Sequence, residues 1–253
     1  MLEIWSGLFP STAMLVVMVI TSAVGGTMRA FAGFGGGLLL APVFSLYLSP
    51  QDVVVVIILL GFATTLQLLP SMWKDIDWPL IWRMVPPALV GVPIGGFILT
   101  GLDPTILRRL IALIVTVLAL IMLTGWHYKG PRGRFQDIIA GVTSGILTSI
   151  AGIGGPPFVL YMLSAQGFSP VAFRIFFTVF FAFTQLMALA MLLVRGAIEP
   201  TQLAYVGTLM PVYLLATALG AYLFARALRT RADQIKRISL WLLLVVGAVT
   251  LVI

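Results

Sequence analysis

Ala32-Gly33-Phe34-Gly35-Gly36-Gly37 interrupts a 37-residue apolar run, Thr12 to Leu48, and its reading decides the fold. As one straight helix that run would be about 55 Å long, against a bilayer hydrocarbon core of roughly 30 Å. It must break, and a break is cheapest where glycine relaxes the backbone. A near copy, Ala151-Gly152-Ile153-Gly154-Gly155-Pro156, follows 119 positions later.

Composition supplies the setting. Of 253 residues, 60% are hydrophobic and 9% charged, with mean hydropathy +1.12. A soluble domain carries roughly 25% charged residues, so this chain is expected to be an all-α polytopic membrane protein with the lipid bilayer as its partner. The net charge of +7 comes from basic residues flanking apolar runs, which points to orientation in a bilayer and not to nucleic acid. Absence of cysteine excludes disulfides and thiolate metal sites, and the lone His127 excludes a histidine metal cluster. No cofactor is expected. The first apolar run lacks a basic leader and a small-residue cleavage signal, so it reads as mature protein.

Outward from the first break, apolar elements follow at Val53–Leu69, Trp78–Thr100 and Leu110–Trp126. A second glycine-broken element spans Ile138–Leu163, followed by Phe173–Val194, Thr201–Ala225 and Ile238–Ile253. The halves match by residue. Ser49-Pro50 corresponds to Ser169-Pro170, Pro87 to Pro211 and Gly96 to Gly220, while Thr65 and Gln67 fall roughly on Thr184 and Gln185. Two homologous four-element halves follow: residues 1–127, a cytoplasmic linker 128–136, and residues 137–253.

Charge chooses their relative orientation. If each broken element crosses once, Lys and Arg divide eight to six, which decides nothing. If each returns, Arg108, Arg109 and Arg195 lie on one side and eleven others on the opposite side, with Arg29 left out. The positive-inside rule then favours inverted repeats, with both termini outside and the basic loops cytoplasmic.

The breaks also carry the expected chemistry. Each is followed by a half-helix, whose N-terminus leaves N–H groups unpaired and carries partial positive charge. Pro156-Pro157 suits the first turn of the second one. Non-helical backbone at membrane depth persists only where it is buried or lines a cavity, so two such termini brought together form an anion site near the midplane. Glycines also mark close helix packing; their duplication in register favours a site.

We assign to that site Gly33, Gly35, Gly36, Gly37, Gly152, Gly154 and Gly155, with Gln67, Ser149 and Gln185 as nearby polar groups and Arg29 and Arg174 as countercharges. Thr27, Ser144, Thr148, Thr64, Thr65 and Thr184 are neighbouring hydroxyls, each equally suited to interhelical hydrogen bonding. An intramembrane arginine is costly and functional by default. Arg83, Arg195 and His127 read as interfacial. All eight carboxylates lie in or beside loops, so neither an intramembrane proton relay nor an enzyme's acid–base pair is offered.

At these motifs, with Pro42 after the first and the Ser-Pro pair after each broken element, the sequence resembles the sulfite exporter TauE/SafE family, also called the toluene-sulfonate uptake permease family. Pro156-Pro157 departs from Gly37-Leu38 of the first half. The resemblance covers essentially the whole chain. It implies an inner-membrane secondary transporter of a small sulfur-containing anion, sulfite or an organosulfonate, working by alternating access. Uptake, or carriage of another small anion such as a carboxylate, is the alternative. Homo-oligomerisation is compatible with either.

Overall fold

The computed structural model describes residues 9–162 and 169–230, apart from positions 125, 127 and 132. Every regular element among them is helical: α1 (Thr12–Ala32), α2 (Gly36–Phe44), α3 (Pro50–Leu68), α4 (Trp78–Gly101), α5 (Pro104–Leu123), α6 (Arg134–Ala151), α7 (Gly155–Met162), α8 (Pro170–Val194) and α9 (Pro200–Thr230). Two short 3-10 turns link α3 to α4. The helices α1, α3, α4, α8 and α9 are long and apolar enough to cross a membrane. His127 and the apolar stretch Ile238–Ile253 lie outside the described residues.

Local chemistry sets the helix starts. The Ser49 and Ser169 hydroxyls accept from the N–H of Asp52 (3.2 Å) and Ala172 (3.1 Å), and Pro50 and Pro170 open the helices they cap. The repeated Ser-Pro pair is therefore an N-cap followed by a residue whose missing N–H is not needed there. Helices α1 and α6 end on Gly33 (φ 83°) and Gly152 (φ 69°), left-handed caps that glycine adopts without strain.

After each cap the chain turns back along the helix it has left. A Cβ on Gly25 of α1 would collide with the Leu40 side chain of α2, and one on Gly36 would sit 3.3 Å from Arg29 Cβ. In the second half, the Tyr161 hydroxyl at the end of α7 donates to Asp137 at the start of α6 (2.6 Å). Asp137 is buried and also receives the Arg83 guanidinium of α4. Arg83, expected as an interfacial anchor, thus holds the foot of this hairpin.

Helix α1 packs on α9, and α6 packs on α4. Along α1 and α9, Gly26 lies against Tyr213 and Phe31 against Phe224; along α6 and α4, Gly141 lies against Pro87, and a Cβ on Gly145 would strike the Ala88 carbonyl. Each pair runs parallel, at the short separations that small residues permit. Helix α3 is parallel to α9, with Asp52 beside Gln202 and Thr64 beside Thr217, and antiparallel to α4, with Gln51 beside the Leu99 carbonyl. It follows that α6 runs opposite to α1. The helices α3 and α8 cross between these pairs, and their meeting point is where both glycine breaks converge.

Candidate functional site

A cavity of about 20 Å³ lies at that convergence. Its wall combines Gly35, Gly36 and Gly37 from the first break with Gly152 and Gly155 from the second, together with Arg29, Gly61, Gln185, Phe181 and Tyr213. The breaks touch directly. A Cβ on Gly37 would stand 2.5 Å from the Gly152 carbonyl, one on Gly155 3.0 Å from Phe34 Cβ, and one on Gly36 2.6 Å from the Tyr213 hydroxyl. These glycines exist because backbone, and not side chain, forms the wall.

Arg29 is 5% exposed. Its Nη1 donates to the Gly33 carbonyl (3.0 Å) and its Nη2 to Thr65 Oγ1 (3.1 Å), while its guanidinium carbon lies 4.1 Å from the centre of the Phe181 ring. All of these partners are neutral, and among the described residues no carboxylate lies within ion-pair distance of it. A buried cation normally needs a counterion or pays several kcal/mol in desolvation; the ring face returns part of that.

Thr65 continues the network. Its hydroxyl lies 3.0 Å from the Gly61 carbonyl and 3.3 Å from Gln185 Oε1. Gln185 is buried, and its Nε2 approaches Gly61 so closely that a Cβ there would collide with it. Among the described residues no hydrogen bond is formed by that amide nitrogen or by the buried Tyr213 hydroxyl, and both groups face the cavity. One guanidinium, two uncommitted donors and the N-terminal turns of α2 and α7 therefore surround a space with no acidic group on its wall. Such a wall suits an anion with several acceptor oxygens.

Of the residues assigned from sequence, Arg29, Gly35, Gly36, Gly37, Gly152, Gly155 and Gln185 line the cavity. Gly33 stands behind it, presenting its carbonyl to Arg29 and its α-carbon to the Arg174 backbone. Gly154 packs on Ser144 and Thr148. Ser149 lines a separate cavity with Thr100 and Arg195. The Arg174 guanidinium lies 4.7 Å from the Phe224 ring centre and is not on the cavity wall. Gln67 is on the exposed side of α3 and donates to the Leu214 carbonyl (3.2 Å).

Thr65, and not Gln67, stands opposite Gln185. The 120-residue spacing of the two Ser-Pro pairs maps Thr65 onto Gln185, a register that matching by amide type obscured. Tyr213, Gly61 and Phe181 line the cavity and are absent from the sequence-based assignment. Tyr213 had only the signal of a polar tip near Pro211; Gly61 and Phe181 had none.

No solved structure matches this chain. Among curated proteins, it is 25% identical over 198 residues to a "Probable sulfite/organosulfonate exporter TauE" of Cupriavidus necator, covering 76% of this chain and 77% of that one. It is 24% identical over 168 residues to a "Probable membrane transporter protein" of Haemophilus influenzae, covering 60% of this chain and 64% of that one. The sequence model of the sulfite exporter TauE/SafE family matches residues 18–250. With nearly its whole length matched, this multi-pass chain belongs to the sulfite exporter TauE/SafE family of membrane transporters, which are not enzymes.

Proposed function

We propose that this protein exports a small sulfur oxyanion or organosulfonate across the inner membrane, binding it between the two glycine breaks. The observation that carries the reading is Arg29: a buried guanidinium beside a cavity, held by neutral groups and lacking a carboxylate. A sulfite or sulfonate head would supply the missing charge. Its oxygens would accept from Arg29, the Gln185 amide, the Tyr213 hydroxyl and the N–H groups of the first turns of α2 and α7. The sulfur chemistry and the outward direction come from the name of the Cupriavidus necator relative.

In this reading the two halves, residues 1–127 and 137–253, are inverted repeats exchanging their first and third helices. The opposed directions of α1 and α6 support this. So does the charge distribution, which makes the ends of α3, α5 and α9 cytoplasmic and leaves both termini outside. At about 20 Å³ the cavity holds roughly one water, too little for a sulfonate head. The described conformation is then a closed one, and the anion enters as the α1–α2 and α6–α7 hairpins move against α3 and α8.

Export of an anion needs no coupling proton where the membrane is negative inside, since each charge gains about 2.3 kcal/mol per 100 mV. In proteoliposomes loaded with sulfite or methanesulfonate, an inside-negative diffusion potential is expected to accelerate efflux several-fold. Potential-independent efflux, or lactate moving in preference to both sulfur anions, would contradict this assignment.

A further inference from the structure

The second cavity, between α4, α6 and α8, has features that packing alone does not explain. It encloses about 10 Å³ and is walled by Ser149, Thr100, Ile58, Met191 and Leu192, with Arg195 at its edge. Ser149 is 3% exposed, and its Oγ has no hydrogen-bond partner. A buried hydroxyl left unpaired is destabilising, and this one lines the cavity. At the edge, Arg195 donates to Thr100 Oγ1 (3.3 Å) and lies 4.0 Å from the centre of the Phe97 ring. Among the described residues no carboxylate lies within ion-pair distance of Arg195. A buried, unpaired hydroxyl on the wall and the exposed Arg195 guanidinium beside it, with apolar residues completing the wall, match a small organic anion.

The related place in the other half is filled. The spacings of the repeat carry Ser149 onto Ala30 and Thr100 onto Phe224. There Phe224 packs edge-to-face on Phe31 (5.7 Å), and a Cβ on Gly220 would strike the Thr27 carbonyl. Phe224 also carries the Arg174 guanidinium over its ring at 4.7 Å, so the two places differ in Ser149 against Ala30 and Thr100 against Phe224.

We infer that this cavity is a second anion subsite, binding the head of a sulfonate-class anion between Arg195 and Ser149, its apolar substituent against Ile58, Met191 and Leu192. It serves as a waypoint between the central cavity and the Arg195 face. The inference takes its ligand class from the function proposed above. The present volume is that of about one water, so occupancy requires Met191, a flexible side chain, to swing aside.

Titration calorimetry of the purified full chain with methanesulfonate and with sulfite tests this. The wild type is expected to bind two anions, one more weakly. Ser149→Ala and Arg195→Gln should each weaken the second site at least tenfold and leave the first within twofold, with Arg195→Lys retaining most of the binding. Arg29→Gln should remove the stronger site and keep the weaker. A single site in the wild type, or a weaker site that survives the Ser149→Ala/Arg195→Gln double variant, overturns the subsite. An effect of Arg195→Gln with Ser149→Ala silent also overturns it, leaving Arg195 as a lipid-headgroup anchor. Full retention of binding in Arg29→Gln would instead refute the central site, independently of the Ser149 and Arg195 results.

Discussion

Arg29 is held by the Gly33 carbonyl, the Thr65 hydroxyl and the face of Phe181, an arrangement that positions a cation without neutralising it. An acidic neighbour would have satisfied the charge and closed the site to anions. Tyr213 acts alongside it: the hydroxyl reaches the cavity across a gap that only glycine at position 36 leaves open. We expect Tyr213→Phe to weaken sulfite or sulfonate binding by roughly 10- to 150-fold, the value of a hydrogen bond to a charged group at about 1.5–3 kcal/mol. The melting temperature without ligand should be unchanged, because this hydroxyl has no protein partner among the described residues. Gly36→Ala should weaken binding at least as much, since its Cβ also meets the Gly25 carbonyl at 3.0 Å. Binding calorimetry and thermal melting of both variants check the pair; tight binding by both would place the anion elsewhere.

At the scale of elements, two kinds of glycine with similar sequence signatures separate. Those at the breaks carry left-handed caps or form the cavity wall, except Gly154, which packs on Ser144 and Thr148. Gly91, Gly95, Gly141 and Gly145 instead let α4 and α6 touch along their lengths. Gly145→Leu would drive a side chain into the Ala88 backbone, an overpacking that costs about 1–3 kcal/mol and has no flexible neighbour to absorb it. A drop of several degrees in melting temperature is expected, with anion affinity in the surviving folded fraction preserved. An unshifted melting curve would show that α4 and α6 part easily.

Element order and the two breaks were legible because their causes are local: glycine clusters and an apolar run too long for one crossing. Helix starts were less so: Pro50, Pro104, Arg134 and Pro170 precede the apolar runs read from sequence by three to six residues, because caps and first turns are polar. The wall of the site was legible only in part. Arg29 and the cavity glycines stood out by charge and repetition, whereas Tyr213 reaches the breaks only because α9 packs on α1, a contact 187 positions apart at Gly26. Gln67 failed as a site residue for a similar reason. Two positions beyond Thr65, it falls on another face of α3, which only the packing of α3 against α8 and α9 identifies.

Across the whole molecule, α1 packs on α9 and α6 on α4, so helices from distant parts of the chain complete one another. The two hairpin tips touch at Gly37 and Gly152. Polar side chains are distributed unequally over this plan. Position 29 is arginine, while its counterpart in the second half, by the spacing of the breaks, is Thr148. The cavity wall therefore takes glycine backbone from both breaks and its one charged side chain, Arg29, from the first. If the anion binds here, this cation exists for the ligand and not for the fold. The most direct measurement compares wild type and Arg29→Gln for equilibrium binding of sulfite and methanesulfonate, and for thermal stability without ligand. The account predicts that the variant loses at least about 2 kcal/mol of binding at the central site, roughly thirtyfold in affinity, while its ligand-free stability is equal or higher because a buried, unpaired charge has gone. Binding retained, or an unfolded variant, would contradict it.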